Sequence, residues 1–206
     1  FFLIKYCYRF NLMGVKKNID SVKYKKAIDF SYNFYLGKYR KGVKLPYFTY
    51  MSSVSNLIIE NNGTTDEAIA GLFHDLLEFD LNTTRVNSIK NKFGSKVFSI
   101  VKQCSNINLD KSKNSDWIDN KKKFIDSMTK KSQSTLLVSI CDKLHSSNCM
   151  ITDYNRIGRK LWKKYDQSNE HTLWYYKNLC RNFKKYLKNH KSLKDKFQRN
   201  VNEIDY

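Results

Sequence analysis

Thr64-Thr65-Asp66-Glu67-Ala68-Ile69-Ala70-Gly71-Leu72-Phe73-His74-Asp75-Leu76-Leu77-Glu78-Phe79 is the stretch that decides how this chain is read. Thr64 opens a helix, and Glu67 stands three residues on, the spacing at which each side chain satisfies the other's backbone N–H. The apolar run that follows predicts one continuous helix through Phe79. His74 and Asp75 lie side by side within it, and an unpaired carboxylate in apolar surroundings is costly. A divalent metal would offset that cost, with imidazole nitrogen and carboxylate oxygen as ligands. Glu78, four residues beyond His74, shares its face and would orient or deprotonate a metal-bound water. The plainer reading is a helix that carries a His-Asp pair and nothing more.

Outward from this stretch the helical period recurs. Ile19 to Tyr35 carries apolar residues at Val22, Ile28, Phe30 and Phe34. Residues 36–48 hold two glycines and the only proline, so they predict a loop before a helix over Tyr50 to Asn61. Further helices are expected over Asn82–Phe93, with Gly94 as the residue after its end, and over Ser95 to about Cys104. A polar loop at 105–114 precedes helices at Asp116–Met128, Ser134 to about Arg159, His171–Asn189 and Ser192–Ile204. Seven glycines and one proline in 206 residues are too few for a turn-rich β fold. The expected fold class is therefore all-α. No repeat or linker breaks the chain, so it divides into a basic N-terminal extension (1–18), one domain (19–189) and a basic helical C-terminal tail (190–206).

A second carboxylate lies in an apolar helical stretch, Ser139-Ile140-Cys141-Asp142-Lys143-Leu144-His145. Leu136, Leu137, Val138 and Ile140 argue that this part is buried; the alternative puts Asp142 and His145 on a wet face. The formal net charge is +19, which a polyanion would relieve: RNA or DNA first, an anionic membrane surface second. Compositional bias toward Lys, Asn, Ile, Tyr and Phe explains the same number. Five cysteines without a CxxC spacing exclude a disulfide framework or zinc finger and suit a reducing compartment. No apolar run approaches the roughly 20 residues of a membrane span. Residues 1–19 hold no acid but contain Lys5, Arg9, Lys16 and Lys17, like the remnant of an organellar transit peptide, although Met13 would serve equally as the start of a shorter protein.

Taken together, the order of landmarks resembles the HD-domain metal-dependent phosphohydrolases, in particular the small (p)ppGpp-hydrolase-like members. The landmarks are Arg40-Lys41-Gly42 with Pro46-Tyr47; Asp66 to Asp75; Phe93-Gly94 with Val97 and Ile100-Val101; Trp117 with Lys121 and Phe124; Asp142-Lys143-Leu144-His145; Gly158 with Leu161-Trp162; and Thr172-Leu173-Trp174-Tyr175-Tyr176. They span roughly residues 20–185. The resemblance implies an HD helical bundle and a divalent metal, typically manganese, held by an early His, the His-Asp pair and a distant Asp. His74, Asp75 and Asp142 match three of these ligands, and Tyr50 stands where the first His belongs. Phe79 replaces the family's second acid after Glu78, Ser146 replaces an Asn, and Tyr35 replaces a further His of the first helix.

The resemblance so damaged implies a degenerate HD domain, a pseudoenzyme serving as a basic structural or RNA-binding subunit of a ribonucleoprotein such as an organellar ribosome in the mitochondrial matrix. RNA and neighbouring proteins are its expected partners, and no cofactor is expected unless the residual site keeps Mn2+. The alternative is a metal-dependent (p)ppGpp or nucleotide pyrophosphohydrolase with an unusual site, in which Glu78 handles the water and a nucleotide is the partner. A nucleotide-binding sensor without catalysis is a third possibility. Phosphate or RNA contacts fall to Arg40, Lys41, Lys121, Lys163, Lys164, Lys184 and Lys185. The aromatics among these bases, Trp162, Trp174 and Tyr175, are expected to pack the core.

Overall fold

The computed structural model describes residues 19–40, 44–79, 83–105, 117–164 and 168–204. The 1–18 extension and Lys41 lie outside the described residues, as do the side chains of Lys163 and Lys164. Among the described residues all extended regular structure is helical, as the sequence predicts, and Tyr39 and Pro46 form one isolated antiparallel bridge.

Helix α1 (Ser21–Tyr35) starts where the Asp20 carboxylate accepts from the Lys23 amide at 2.9 Å. Helix α2 (Tyr47–Glu60) begins at Tyr47 rather than at Tyr50, directly after Pro46, whose fixed φ readies the chain for a helix. Helix α3 (Thr65–Phe73) carries the capping box: Glu67 N donates to Thr64 Oγ1 at 3.3 Å, and Thr64 N donates to Glu67 Oε2 at 2.6 Å. The continuous helix expected through Phe79 is broken. It ends at Phe73, turns at His74 and Asp75, and resumes as the single turn α4 (Leu76–Phe79). The His74 ring occupies the helix's own acceptor, with Nδ1 2.8 Å from the Gly71 carbonyl.

Helices α5 (Thr83–Phe93) and α6 (Ser95–Cys104) meet at Gly94, whose φ of 97° is open to glycine and strained for other residues. Helix α7 (Trp117–Ser127) passes through a 3₁₀ turn at Met128–Lys130 into the long α8 (Gln133–Ile157). A 3₁₀ stretch, Gly158–Lys164, follows it, then α9 (Asn169–Tyr186) and α10 (Lys191–Ile204).

The core forms where α2, α3 and α8 meet. Met51, Val54 and Ile58 of α2 face Ala68, Ile69 and Leu72 of α3 and Leu137, Ile140 and Leu144 of α8, all buried. Gly71 permits the close α2–α3 approach, because a Cβ there would fall 2.6 Å from Ile58 Cδ1 and 3.2 Å from Ser55 Cα. Ser55 Oγ donates to the Ala68 carbonyl across the same seam at 2.8 Å. The residues read as a C-terminal tail form α10, which lies along α8 and α9. It buries Leu193, Phe197 and Val201, spaced four apart on one face. Asn200 Nδ2 donates to Ser147 Oγ at 2.8 Å and Asn148 Oδ1 at 2.6 Å. Of the three aromatics expected in the core, Tyr175 is buried, while Trp162 and Trp174 are half-buried against it.

Candidate active site

The break after Phe73 turns His74 and Asp75 toward α8, and the α2–α8 packing brings Tyr50 to Asp142. His74 Nε2 lies 3.4 Å from Asp75 Oδ1 and 3.4 Å from Asp142 Oδ1. The three residues that the sequence singles out therefore converge, His74 and Asp75 from the turn after α3 and Asp142 from α8. Because the Gly71 carbonyl can only accept, His74 Nδ1 carries a hydrogen, which leaves Nε2 as the atom aimed at the two carboxylates. Nε2 is buried and makes no aligned hydrogen bond among the described residues. Burial opposes charge on this ring, but Asp75 and Asp142 outweigh it and lift its pKa to about 9.

Each carboxylate is also held by residues of this chain. Tyr50 Oη donates to Asp142 Oδ1 at 2.5 Å and lies 3.2 Å from the Asp142 carbonyl. Lys143 Nζ is 2.6 Å from Asp142 Oδ2, and Tyr47 Oη donates to Asp75 Oδ2 at 2.7 Å. Burial works against the Asp142 anion, yet the charges of Lys143 and His74 hold its carboxyl well below the usual range. Burial and the neighbouring carboxylates keep the Tyr50 and Tyr47 phenols protonated. The sequence reading gave neither Tyr47 nor Lys143 a role in this network. Tyr47 was discoverable, since it precedes Tyr50 by three residues and so shares its helical face. Lys143 was not, because adjacent helix positions point apart and only its long stem folds back.

Around this cluster lies a rim of cations and aromatics. Arg40 places its guanidinium 4.7 Å from the Tyr50 ring centroid and donates to Cys149 Sγ at 3.2 Å. Lys121 Nζ lies 5.0 Å from the Tyr175 ring and 5.6 Å from that of Trp117. Burial and the nearby Lys143 charge lower its pKa to about 8. Glu78 stands at the rim with its side chain reaching solvent; crowding by the protein and by Asp75 raises its pKa against the pull of Lys143, Lys121 and His74. Phe79 is 44% exposed and packs edge-on against Tyr47 at 4.8 Å and Tyr35 at 5.7 Å. Ser146 Oγ accepts from the Tyr176 hydroxyl at 2.9 Å. Lys184 and Lys185 are exposed near the start of α8, where Gln133 Nε2 donates to the Tyr186 carbonyl, and do not join the site.

Whether this donor set suits the divalent metal that the resemblance implies follows from who holds the oxygens. Three of the four carboxylate oxygens already receive a phenol or an ammonium, and the phenol at position 50 stays protonated. Among the described residues no group of three or more His, Cys, Asp or Glu is arranged to hold an ion. The residues present do not fit a bound divalent metal.

Residues 27–164 match the family described as HD domain. A solved structure described as a metazoan ortholog of SpoT that hydrolyzes ppGpp and plays a role in starvation responses is similar with a TM-score of 0.71 at 17% identity, covering 90% of this chain and 97% of its own. The crystal structure of lmo0812 from Listeria monocytogenes EGD-e gives a TM-score of 0.64 at 19% identity, over 75% of this chain and 97% of its own. No curated protein matches the sequence. The helical architecture, the converging His-Asp pair and distant Asp, and a match across residues 27–164 lead to one conclusion: the chain belongs to the HD-domain family.

Proposed function

We propose that this chain binds a polyphosphorylated nucleotide of the (p)ppGpp kind at the His74, Asp75 and Asp142 cluster, and that hydrolysis there is slow or lost. The observation that carries the reading is the placement of Arg40 over the Tyr50 ring and of Lys121 over the Trp117 and Tyr175 rings, at the rim of that cluster. Cations fixed in this way meet phosphate oxygens with little further ordering cost. A solved structural neighbour is described as hydrolysing ppGpp, which makes that nucleotide the first probe.

The same cluster lacks parts for efficient turnover. Phe79, four residues beyond Asp75, offers a ring where a carboxylate would accept a proton. Loss of such an acid or base costs about 10²–10⁴ in rate. Glu78 remains as the carboxylate available to act as a general base, its pKa raised by burial and by Asp75. Calorimetric titration with ppGpp, paired with a turnover assay, tests the proposal. Saturable binding weakened on the order of tenfold by Lys121→Ala is expected. Absence of saturable binding sinks it, and fast turnover abolished by His74→Ala replaces it with the hydrolase reading.

A role as an RNA-binding subunit has one observation in its favour: Lys184, Lys185, Lys188, Lys191 and Arg199 are all exposed along the packed α9–α10 pair, on a chain of net charge +19. Phosphate contacts of this kind weaken steeply with salt. RNA binding that vanishes at moderate salt and in a Lys184→Glu, Lys185→Glu variant would support it, and no binding at low salt ends it.

A further inference from the structure

Tyr50 is buried, and its hydroxyl approaches Asp142 at two atoms, Oδ1 at 2.5 Å and the carbonyl at 3.2 Å. A single O–H donates once, so the nearer carboxylate oxygen takes it. Lys143 takes the second oxygen of the same carboxylate at 2.6 Å, and Tyr47 takes one oxygen of Asp75 at 2.7 Å. What remains facing the centre is one oxygen of Asp75 and the His74 Nε2 edge. A divalent ion would need Asp142 Oδ1 as well, where the phenolic hydrogen already points. Taking that oxygen breaks a short bond inside a buried network and leaves the hydroxyl to find another acceptor, costs that an imidazole at the same place would not impose.

We propose that Tyr50 fills the cation's place in this cluster, as a neutral hydrogen-bonding plug, so that the site takes its phosphorylated ligand without a divalent metal. Lys143, ion-paired to Asp142, and the rim cations Arg40 and Lys121 supply the positive charge that phosphate requires. The ligand clause rests on the nucleotide-binding reading above; the metal clause does not.

The test is an Mn2+ titration of the full chain, followed by the paramagnetic resonance signal of the free ion. The +19 charge keeps non-specific cation binding low. The wild-type chain is expected to leave the signal at its protein-free intensity through the high micromolar range. Tyr50→His, which sets a second imidazole beside His74, Asp75 and Asp142, is expected to tighten Mn2+ binding on the order of 100-fold. Tyr50→Phe, which removes only the hydroxyl, covers the case in which Tyr50→His does not fold, and is expected to tighten it by a smaller factor. One equivalent of Mn2+ bound tightly by the wild type and lost in Asp142→Asn overturns the proposal. So does failure of folded Tyr50→His and Tyr50→Phe to bind Mn2+ better than the wild type.

A second arm measures ppGpp affinity in chelator and in Mn2+. Equal affinities support the proposal. Affinity that depends on Mn2+ overturns it while leaving nucleotide binding standing. No binding in either condition overturns the nucleotide reading, and the Mn2+ titration then decides the metal clause alone.

Discussion

Lys121 stands on α7 with its ammonium over two rings, and burial with the Lys143 charge brings its pKa down to about 8. Its charge is therefore present at pH 7 and mostly gone at pH 9. If this ammonium holds phosphate, nucleotide affinity should fall on the order of fivefold across that range. Lys121→Arg, which stays charged, should flatten the profile; titrations at both pH values check it. Tyr35 offers a different kind of residue test. It is buried and its hydroxyl has no hydrogen-bond partner among the described residues. Removing an unsatisfied buried hydroxyl is stabilising, so Tyr35→Phe should raise stability by about 1 kcal/mol in a denaturant melt. His74, Asp75 and Asp142 were legible in the sequence because a carboxylate in an apolar helix needs an explanation. The phenols and the ammonium that hold those carboxylates were not legible as partners, since their roles depend on how far each side chain reaches across a helix seam.

At the level of elements, α3 shows both what a short sequence signal can fix and where it stops. The Thr64–Glu67 spacing was readable, and the structure contains both reciprocal bonds. Thr64→Ala should cost about 1 kcal/mol, as loss of an N-cap does. Glu67 also accepts from Ser134 Oγ of α8 at 2.7 Å, so Glu67→Ala should cost more than Thr64→Ala in the same urea melts. A result in the other order would mean the α3–α8 bond contributes nothing. The break after Phe73 escaped the sequence reading because Leu76, Leu77 and Phe79 keep an apolar character that suits either a continued helix or a separate turn. The local bond from His74 to Gly71 belongs to the helix's end and has no signature in periodicity.

For the whole molecule, helical class and helix order were readable from period and from the few glycines, whereas the place of the C-terminal segment was not. Its lysines mark it as a tail, yet Leu193, Phe197 and Val201 recur on one face, and α8 and α9 cover that face. Phe197 is 1% exposed and meets Phe183 at 5.8 Å and Tyr176 at 5.9 Å. Phe197→Ala should therefore cost about 3–5 kcal/mol, read from thermal or urea unfolding, where a dispensable tail would lose nothing measurable. The helix that α10 braces, α8, is also packed by α2, α3 and α6, and residues 135–142 are buried without interruption. Solvent deuterium should reach the amides of that stretch only when the entire chain opens, so their exchange keeps time for global unfolding. Asp142 lies in the slow segment, which makes the candidate site its own stopwatch: a ligand that binds there should lengthen those exchange times in step with its occupancy.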